Sequence, residues 1–326
     1  MARFGQLSNL RGSQRGTAAL AKLLLVSPLM RFLDQQSGYE EDATNFKYKV
    51  KEGTMSVQTR DLGGNYTSAT LTPVGNQNGV LYLHGFQIDI DQSHLADDAR
   101  GLQDLAGWID NELPDEVDSF ARLYEALLMN GSGSGSPSEI MGLKTILSGS
   151  NITGYSVNNL INAKDAASSG TYLDLTDPAN YDAFVEYLVG WLEQVENPTG
   201  ILMNGALKAK MYTVAKKQGI LGQSLDQFGK PVDTFNGVPM VKLLDTSILN
   251  TEPDDTPTTP LTNTTSLYIV APQEKNLSLV TNSGLDFEDY DKLEAKQSGR
   301  LKGEIRAAWK IQRKNSVRRV RNIKAR

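Results

Sequence analysis

Chemistry in a protein needs titratable or ligating groups held close together, and this sequence offers few places to find them. His84 and His94, the only two histidines, stand near Asp89, Asp91, Asp97 and Asp98. Two imidazoles with carboxylates form a donor set suited to zinc. The spacing argues against it. Along a strand His84 and Asp89 point to opposite faces, His94 falls past the start of the helix that follows, and calcium would want a glycine-containing turn between its carboxylates. One histidine pair also supplies no convincing base for serine or aspartate chemistry, and no Gly-x-Ser-x-Gly elbow occurs. The run Gly131-Ser-Gly-Ser-Gly-Ser-Pro137 has the composition of a phosphate cradle. Such a loop needs a strand before it, a helix after it and a lysine at its end. Here a helix precedes and Pro137-Ser-Glu follows, so a flexible connector is expected. Asp286-Phe-Glu-Asp-Tyr-Asp291 could pair carboxylates for acid–base work. It has no apolar walls to shift their pKa values and reads as a solvated loop. No catalytic residue, cofactor or metal site is expected.

Composition points the same way. The 326 residues are 39% hydrophobic and 22% charged, which reads as globular. There is no cysteine, which excludes disulfides and thiolate metal sites. The net charge of −5 hides an asymmetry. Residues 1–33 carry Arg3, Arg11, Arg15, Lys22 and Arg31 and no acid, and residues 300–326 carry eleven basic residues against Glu304 alone, so the stretch between holds −20. Two surfaces with different neighbours are expected, one of them facing nucleic acid or acidic patches on other chains. The tail Arg313–Arg326 has no aromatic platform for stacking bases. Val317, Val320 and Ile323 stand three apart in it, which suggests a packed strand with a basic exposed face and an intersubunit role.

The elements that must position these residues follow from periodicity. Residues 1–38 are basic and Gly/Ser-punctuated. Thr17–Arg31 contains the one apolar run, interrupted by Lys22 and Pro28, and it is too short to span a bilayer. It reads as a short amphipathic helix that docks on a partner chain. Phe46, Tyr48 and Val50 alternate with Lys47, Lys49 and Lys51, as in a half-exposed strand. Turns at 61–65 and 75–79 bracket a second strand through Tyr66–Leu71, and a third runs from Val80 to Ile90. The hairpin from about 51 to 78 is too polar to hold a core of its own. Ser93 is an N-cap for a helix whose stripe is Leu95, Ala99, Leu102, Ala106, Ile109 and Leu113. Pro114 is expected to start a second helix through Val117, Phe120, Ala121, Tyr124, Leu127 and Leu128. Residues 138–265 read as α/β. Asp177-Pro178 opens a helix over Tyr181–Val195, Ile201–Met203 is a buried strand, Ala206–Lys217 is a helix, Gly219 and Gly222 form a turn, and 251–260 is a loop without core residues. Residues 266–326 return to strands at 267–270, 277–280, 305–314 and 317–323.

Several of these segments, in order, resemble the major capsid proteins of tailed bacteriophages. They are Ile201-Leu-Met-Asn-Gly-Ala-Leu-Lys-Ala-Lys210, Gly219 and Gly222, Phe235-Asn-Gly-Val-Pro-Met-Val-Lys242, Arg300-Leu-Lys-Gly-Glu-Ile-Arg306 and Val320-Arg-Asn-Ile-Lys324. The resemblance implies an α+β Hong Kong 97-type capsid fold. Residues 1–38 would be the N-terminal arm, 39–87 the extended loop hairpin with flanking strands, and 88–137 the peripheral domain with its spine helix. Residues 138–265 would be the axial domain, 266–310 the returning peripheral strands, and 311–326 the last axial strand. It also implies a structural role without enzymatic activity. Copies would join as pentamers and hexamers into an icosahedral shell around double-stranded DNA, assembled in a host cytoplasm and found in the virion. Expected partners are a separate scaffold, a portal, a possible decoration protein and DNA bound without sequence preference, and no membrane. A helical scaffolding extension has no room ahead of a loop that begins near residue 47, so either a separate scaffold is used or the extension has been removed from this chain. No Asn/Glu partner aligns with Lys47, Lys49 or Lys51, so no isopeptide cross-link is expected. The inter-subunit contact candidates are Leu23, Leu24, Met30 and Leu33 in the arm, Tyr48 and Tyr66 in the hairpin, and Arg318, Arg319 and Arg321 in the tail. The competing readings are an encapsulin-like compartment of the same fold, a soluble α/β enzyme and a basic-tailed DNA-binding protein.

Overall fold

The larger of the two main sheets has apolar residues on both faces, and helices and the other main sheet cover them, while β2 and β3 form a separate two-stranded sheet. The computed structural model describes residues 23–35, 39–41, 45–49, 76–91, 99–134, 139–148, 159–163, 172–225, 229, 231–252, 263–273, 276–281, 286–290 and 298–326. In chain order the elements are α1 (Pro28–Gln35), β1 (Tyr39–Glu41), β2 (Asn45–Lys49), β3 (Asn76–Val80), β4 (Tyr82–Asp91), α2 (Ala99–Asn130), α3 (Leu143–Ile146), β5 (Leu160–Asn162), β6 (Leu173–Asp174), α4 (Tyr181–Glu193), β7 (Gly200–Met203) and α5 (Gly205–Lys217). They continue with β8 (Leu221–Leu225), β9 (Pro231–Phe235), β10 (Val238–Lys242), β11 (Thr264–Val270), β12 (Leu277–Thr281), β13 (Asp286–Tyr290), β14 (Ser298–Ile311) and β15 (Val317–Lys324).

The eight-stranded sheet runs β5-β15-β11-β7-β10-β9-β8, with β6 also beside β15. Its middle strands are buried along their whole length in β7 and β11. Alternation sends Ile201, Met203, Leu267 and Ile269 to one side, where α4 and α5 cover them with Phe184, Leu188, Trp191, Leu207, Met211 and Val214. Leu202, Tyr268, Val270 and Val317 go to the other side and meet α2, α3 and α1. The five-stranded sheet closes that second core from beyond. In it β14 is flanked by β12 and β13 along one edge and by β4 along the other, and β1 lies outside β12. Ile305, Ala307, Trp309 and Ile311 of β14 face the helices, and Trp309 Nε1 donates to the Leu128 carbonyl at 2.9 Å.

Local sequence explains most boundaries. The Asp177 carboxylate accepts from Ala179 N at 2.9 Å and opens the 3₁₀ turn that leads into α4. The Asn204 side chain accepts from Leu207 N at 2.9 Å and caps α5. Asn236 and Gly237, at φ 47° and 81°, form the two-residue turn that pairs β9 with β10.

Six expectations are corrected. The turn expected at 75–79 is strand β3, whose residues Asn76–Val80 pair with β2. Helix α2 runs unbroken for 32 residues, about 48 Å, with Pro114 inside it. Gly222 lies in β8 opposite Thr234, where an added Cβ would sit 2.5 Å from Thr234 Oγ1. The acidic run at 286–290 is a strand, and its register on β14 sets Glu288 opposite Lys302. Glu252 is 4% exposed, so the 251–260 stretch does contain a core residue. Finally, the amphipathic segment near residue 30 docks on its own chain. Leu23, Leu29, Met30, Phe32 and Leu33 are all buried in the core under α2. The hairpin between 50 and 75, including Tyr66, and the cap at Ser93 lie outside the described residues.

Truncation separates the two parts of the arm. Loss of residues 1–22 should leave the thermal midpoint, followed by circular dichroism, unchanged. Loss of residues 1–35 removes five core side chains at about 2–5 kcal/mol each, against a typical total of 5–15 kcal/mol, and should abolish cooperative folding. Equal midpoints for both truncations would remove α1 from the core.

Candidate subunit-contact surfaces

Among the described residues no three His, Cys, Asp or Glu side chains converge as metal ligands, and the surfaces left to other molecules are taken as the functional candidates. No helix there is long and apolar enough to cross a membrane. His84 is engaged structurally. Its Nε2 accepts the Ile140 N–H at 3.3 Å, and its ring lies 5.9 Å from that of Tyr124. The proton therefore sits on Nδ1. Burial lowers the His84 pKa, and the charge of Glu139 partly offsets this. His94, Asp97 and Asp98 lie outside the described residues. The Gly-rich run begins as an ordered crossing. Gly131 N donates to Leu127 O, Gly142 N donates to Gly131 O, and a Cβ on Gly131 would lie 2.0 Å from the Ile140 carbonyl oxygen.

The arm is fastened by a residue that the sequence does not advertise. Glu125 is fully buried on α2. Its Oε2 accepts from Ser27 Oγ at 2.6 Å and Leu29 N at 3.1 Å. Its Oε1 accepts from Leu244 N and Ser247 Oγ, both at 2.9 Å. An ionised carboxylate only accepts, and four donors match that capacity. Ser27 and Ser247 are 98 and 122 positions away in the chain, so no local pattern marks the site.

The contact candidates from the sequence divide. Leu23, Met30 and Leu33 are spent in the chain's own core, and Leu24 is half-buried against it. Tyr48 is buried too. With Phe46 and Leu81 it covers Val280 and Ala308 on the outer face of the smaller sheet, so the base of the hairpin lies on its own chain. Arg319 is 1% exposed, and its guanidinium reaches Glu252 Oε2 at 3.2 Å and Ser266 Oγ at 3.3 Å. The basic face expected of the tail is therefore partly interior. Arg318 and Arg321 are half-buried, and burial lowers the Arg318 pKa. The apolar side chains that remain open are others. Leu225 is 72% exposed, Leu25 69% and Leu123 67%, with Val80, Leu83, Tyr187, Tyr212 and Leu249 less so. Leu25 sits on the same helical turn as buried Leu23. Leu123 lies on a flank of α2, about 100° around the axis from buried Tyr124. Leu225 ends β8, the outermost strand of the larger sheet.

No protein-family model matches the chain, and no curated protein sequence matches it. Solved structures do. The capsid of a native GTA particle is 15% identical, with a TM-score of 0.56 over 89% of each chain. The capsid of cyanophage A-1(L) is 14% identical, with a TM-score of 0.55 over 87% of this chain and 89% of that one. The holo-SrpI encapsulin complex of Synechococcus elongatus contains a chain 12% identical, with a TM-score of 0.53 over 88% of this chain and 85% of its own. The chain has the α+β fold of these shell subunits.

Two measurements test the site. Glu125→Ala strands four donors and should cost at least about 3 kcal/mol, with faster proteolysis near residues 20–36; unchanged melting would show that the carboxylate does not hold the arm. For His84, the neutral ring is the bonded form, and its folded pKa lies below the ordinary value of about 6.5. Its contribution is therefore complete above that value and is lost as pH falls through the folded pKa. The thermal midpoint should drop between pH 7.5 and 5, and His84→Gln, which can still accept from Ile140 N, should flatten that part of the profile.

Proposed function

We propose that this chain is a shell subunit, the major capsid protein of a tailed bacteriophage. Copies would join as pentamers and hexamers into an icosahedral shell around double-stranded DNA. The observation that carries the reading is the correspondence in fold with capsid subunits over nearly the whole of both chains. The role asks for geometry and not for chemistry, which agrees with histidine and carboxylate side chains being used as structural acceptors here. On this reading α2 is the spine helix, the β2–β3 hairpin is the base of the extended loop, and the α4–α5 face belongs to the axial domain. Residues 1–22, basic and preceding the anchor at Leu23, would serve as an arm toward neighbours or toward packaged DNA, where clustered positive charge binds phosphate without regard to sequence. A scaffold, a portal and a decoration protein would complete the assembly in the host cytoplasm.

A second reading has its own support. The similarity to the encapsulin chain covers as much of the molecule, and a protein compartment would use the same contacts between copies. The contents separate the two. Negative-stain microscopy of the purified chain should reveal hollow closed particles, and particles from the native source should protect double-stranded DNA from nuclease. Particles holding protein cargo without DNA would select the compartment. A small monodisperse oligomer under all assembly conditions would overturn both.

A further inference from the structure

One buried carboxylate closes two turns of the chain at once. Ser27 is fully buried and caps α1. Its Oγ accepts from Met30 N at 3.2 Å and donates to Glu125 Oε2 at 2.6 Å. Pro28 holds the first helical position, where it has no N–H to satisfy. Leu29 N donates to the same Oε2 at 3.1 Å. The other oxygen serves residues 244–248 in a similar way. Leu244 N and Ser247 Oγ donate to Oε1, both at 2.9 Å. Ser247 N and Ile248 N return to the Leu244 carbonyl at 2.9 and 3.3 Å.

This second turn holds the start of α5. Leu243 N donates to Met203 O at 2.9 Å, at the end of β7. The Asp245 carboxylate accepts from Gly205 N at 3.2 Å. The Leu249 carbonyl accepts at 3.2 Å from Nδ2 of Asn204, the residue that caps α5. Helix α2 also reaches the turn through Asn130, whose Nδ2 donates to the Thr246 and Ser247 carbonyls at 3.3 and 2.8 Å. A chain of bonds therefore runs from the start of α1, through Glu125, to the start of α5.

We propose that Glu125 is a two-sided latch, which couples release of the first turn of α1 to loosening of residues 243–249 and of the α5 cap. The side chain is fully buried, so solvent does not replace donors that leave it. When Ser27 and Leu29 move away, the carboxylate is left with stranded lone pairs. It then turns toward its remaining donors or draws water inward. Either movement takes Oε1 from the place where it meets Leu244 N and Ser247 Oγ. The coupling is reciprocal, so a loosened turn weakens the hold on the arm to the same extent. Opening is confined to the first turn of α1. Phe32 and Leu33 stay in the core, with the Phe32 ring where a Cβ on Gly200 would lie 2.4 Å from its Cζ. A pull on residues 1–22 enters at Leu23, just before the latch, and is carried to the cap of α5. The coupling belongs to the single chain and holds whether or not copies form a shell.

Hydrogen exchange of the full chain, read by mass spectrometry under native conditions, tests this. Ser27→Ala removes the α1 cap and one Glu125 donor, and Ser247→Ala removes a donor from the other side. Ser27→Ala should speed exchange at residues 29–31 and also, by on the order of tenfold, at 244–249 and 205–208. Ser247→Ala should in return speed exchange at 29–31. The amides of β11 and α4 should keep their wild-type rates, which separates local opening from global destabilisation. In the double variant the two effects should fall short of multiplying, because the second substitution acts on a latch already open. Acceleration confined to the substituted segment in both variants, or effects that multiply in full, would overturn the proposal. Should a variant fail to fold, the wild type in low urea carries the test. Residues 29–31 and 244–249 should then share one opening transition at a lower urea concentration than β11. Two separate transitions, or a single one together with β11, would remove the latch.

Discussion

Burial of β11 and β7 on both faces is the constraint on which the other layers depend. A strand exposed on one side can alternate apolar and polar residues, but here every position of β11 from Thr264 to Val270 is buried. One side of the sheet then requires α4 and α5, and the other requires α2 and the smaller sheet. The polar residues caught between must be paired. Arg319, on the strand beside β11, is matched by Glu252 and Ser266. A guanidinium left there without its carboxylate would cost more than the pair gains. The pair therefore ties the segment before residue 253 to the middle of the sheet, and it explains how an arginine can occupy the interior of a basic tail.

The same economy decides what the chain buries and what it leaves exposed. Helix α1 and the base of the hairpin seemed incomplete when taken as isolated segments, because neither carries enough apolar surface to offset its ordering entropy. In the folded chain each borrows a wall. Helix α1 uses α2 and the Glu125 carboxylate, and Phe46 and Tyr48 use the outer face of the smaller sheet. What is left outside is a scatter of single leucines and tyrosines with charged surroundings. Separated apolar residues of this kind do not form one large sticky patch.

The elements were legible where one residue's environment is set by its neighbours in sequence. The Phe46-Lys47-Tyr48 alternation, the helix over Tyr181–Val195 and its Asp177-Pro178 opening needed only local pattern. Legibility ended where the environment is set at a distance. Glu125 and Arg319 are ordinary charged residues until segments about 100 and 67 positions away reach them. The three-residue spacing of Val317, Val320 and Ile323 had a cause that spacing alone does not reveal. Val317 faces one core, Val320 and Ile323 face the other, and a register shift opposite Ser266, with Asn322 at φ 63°, restores Ile323 to the side of Val320. Pro114 misled for a related reason. The proline removes one hydrogen bond and crowds the carbonyl one turn earlier, at roughly 3 kcal/mol, and a long helix held by Val117, Phe120, Tyr124 and Trp309 can absorb it.

This division bears on why the chain can share a fold with capsid and encapsulin chains at 12–15% identity. An active site ties particular side chains to particular distances, so its chemistry leaves a signature in the sequence. A layered wall asks only that apolar residues of about the right volume recur at the right period, and many sequences meet that demand. The specific residues in this chain, Glu125, Arg319 and Glu252, join segments to one another and need not be the ones another subunit uses. A shell subunit is consequently recognised by its architecture before it is recognised by any motif. The residues that distinguish one such subunit from the next belong on its outer faces, where complementarity is demanded only of its own copies.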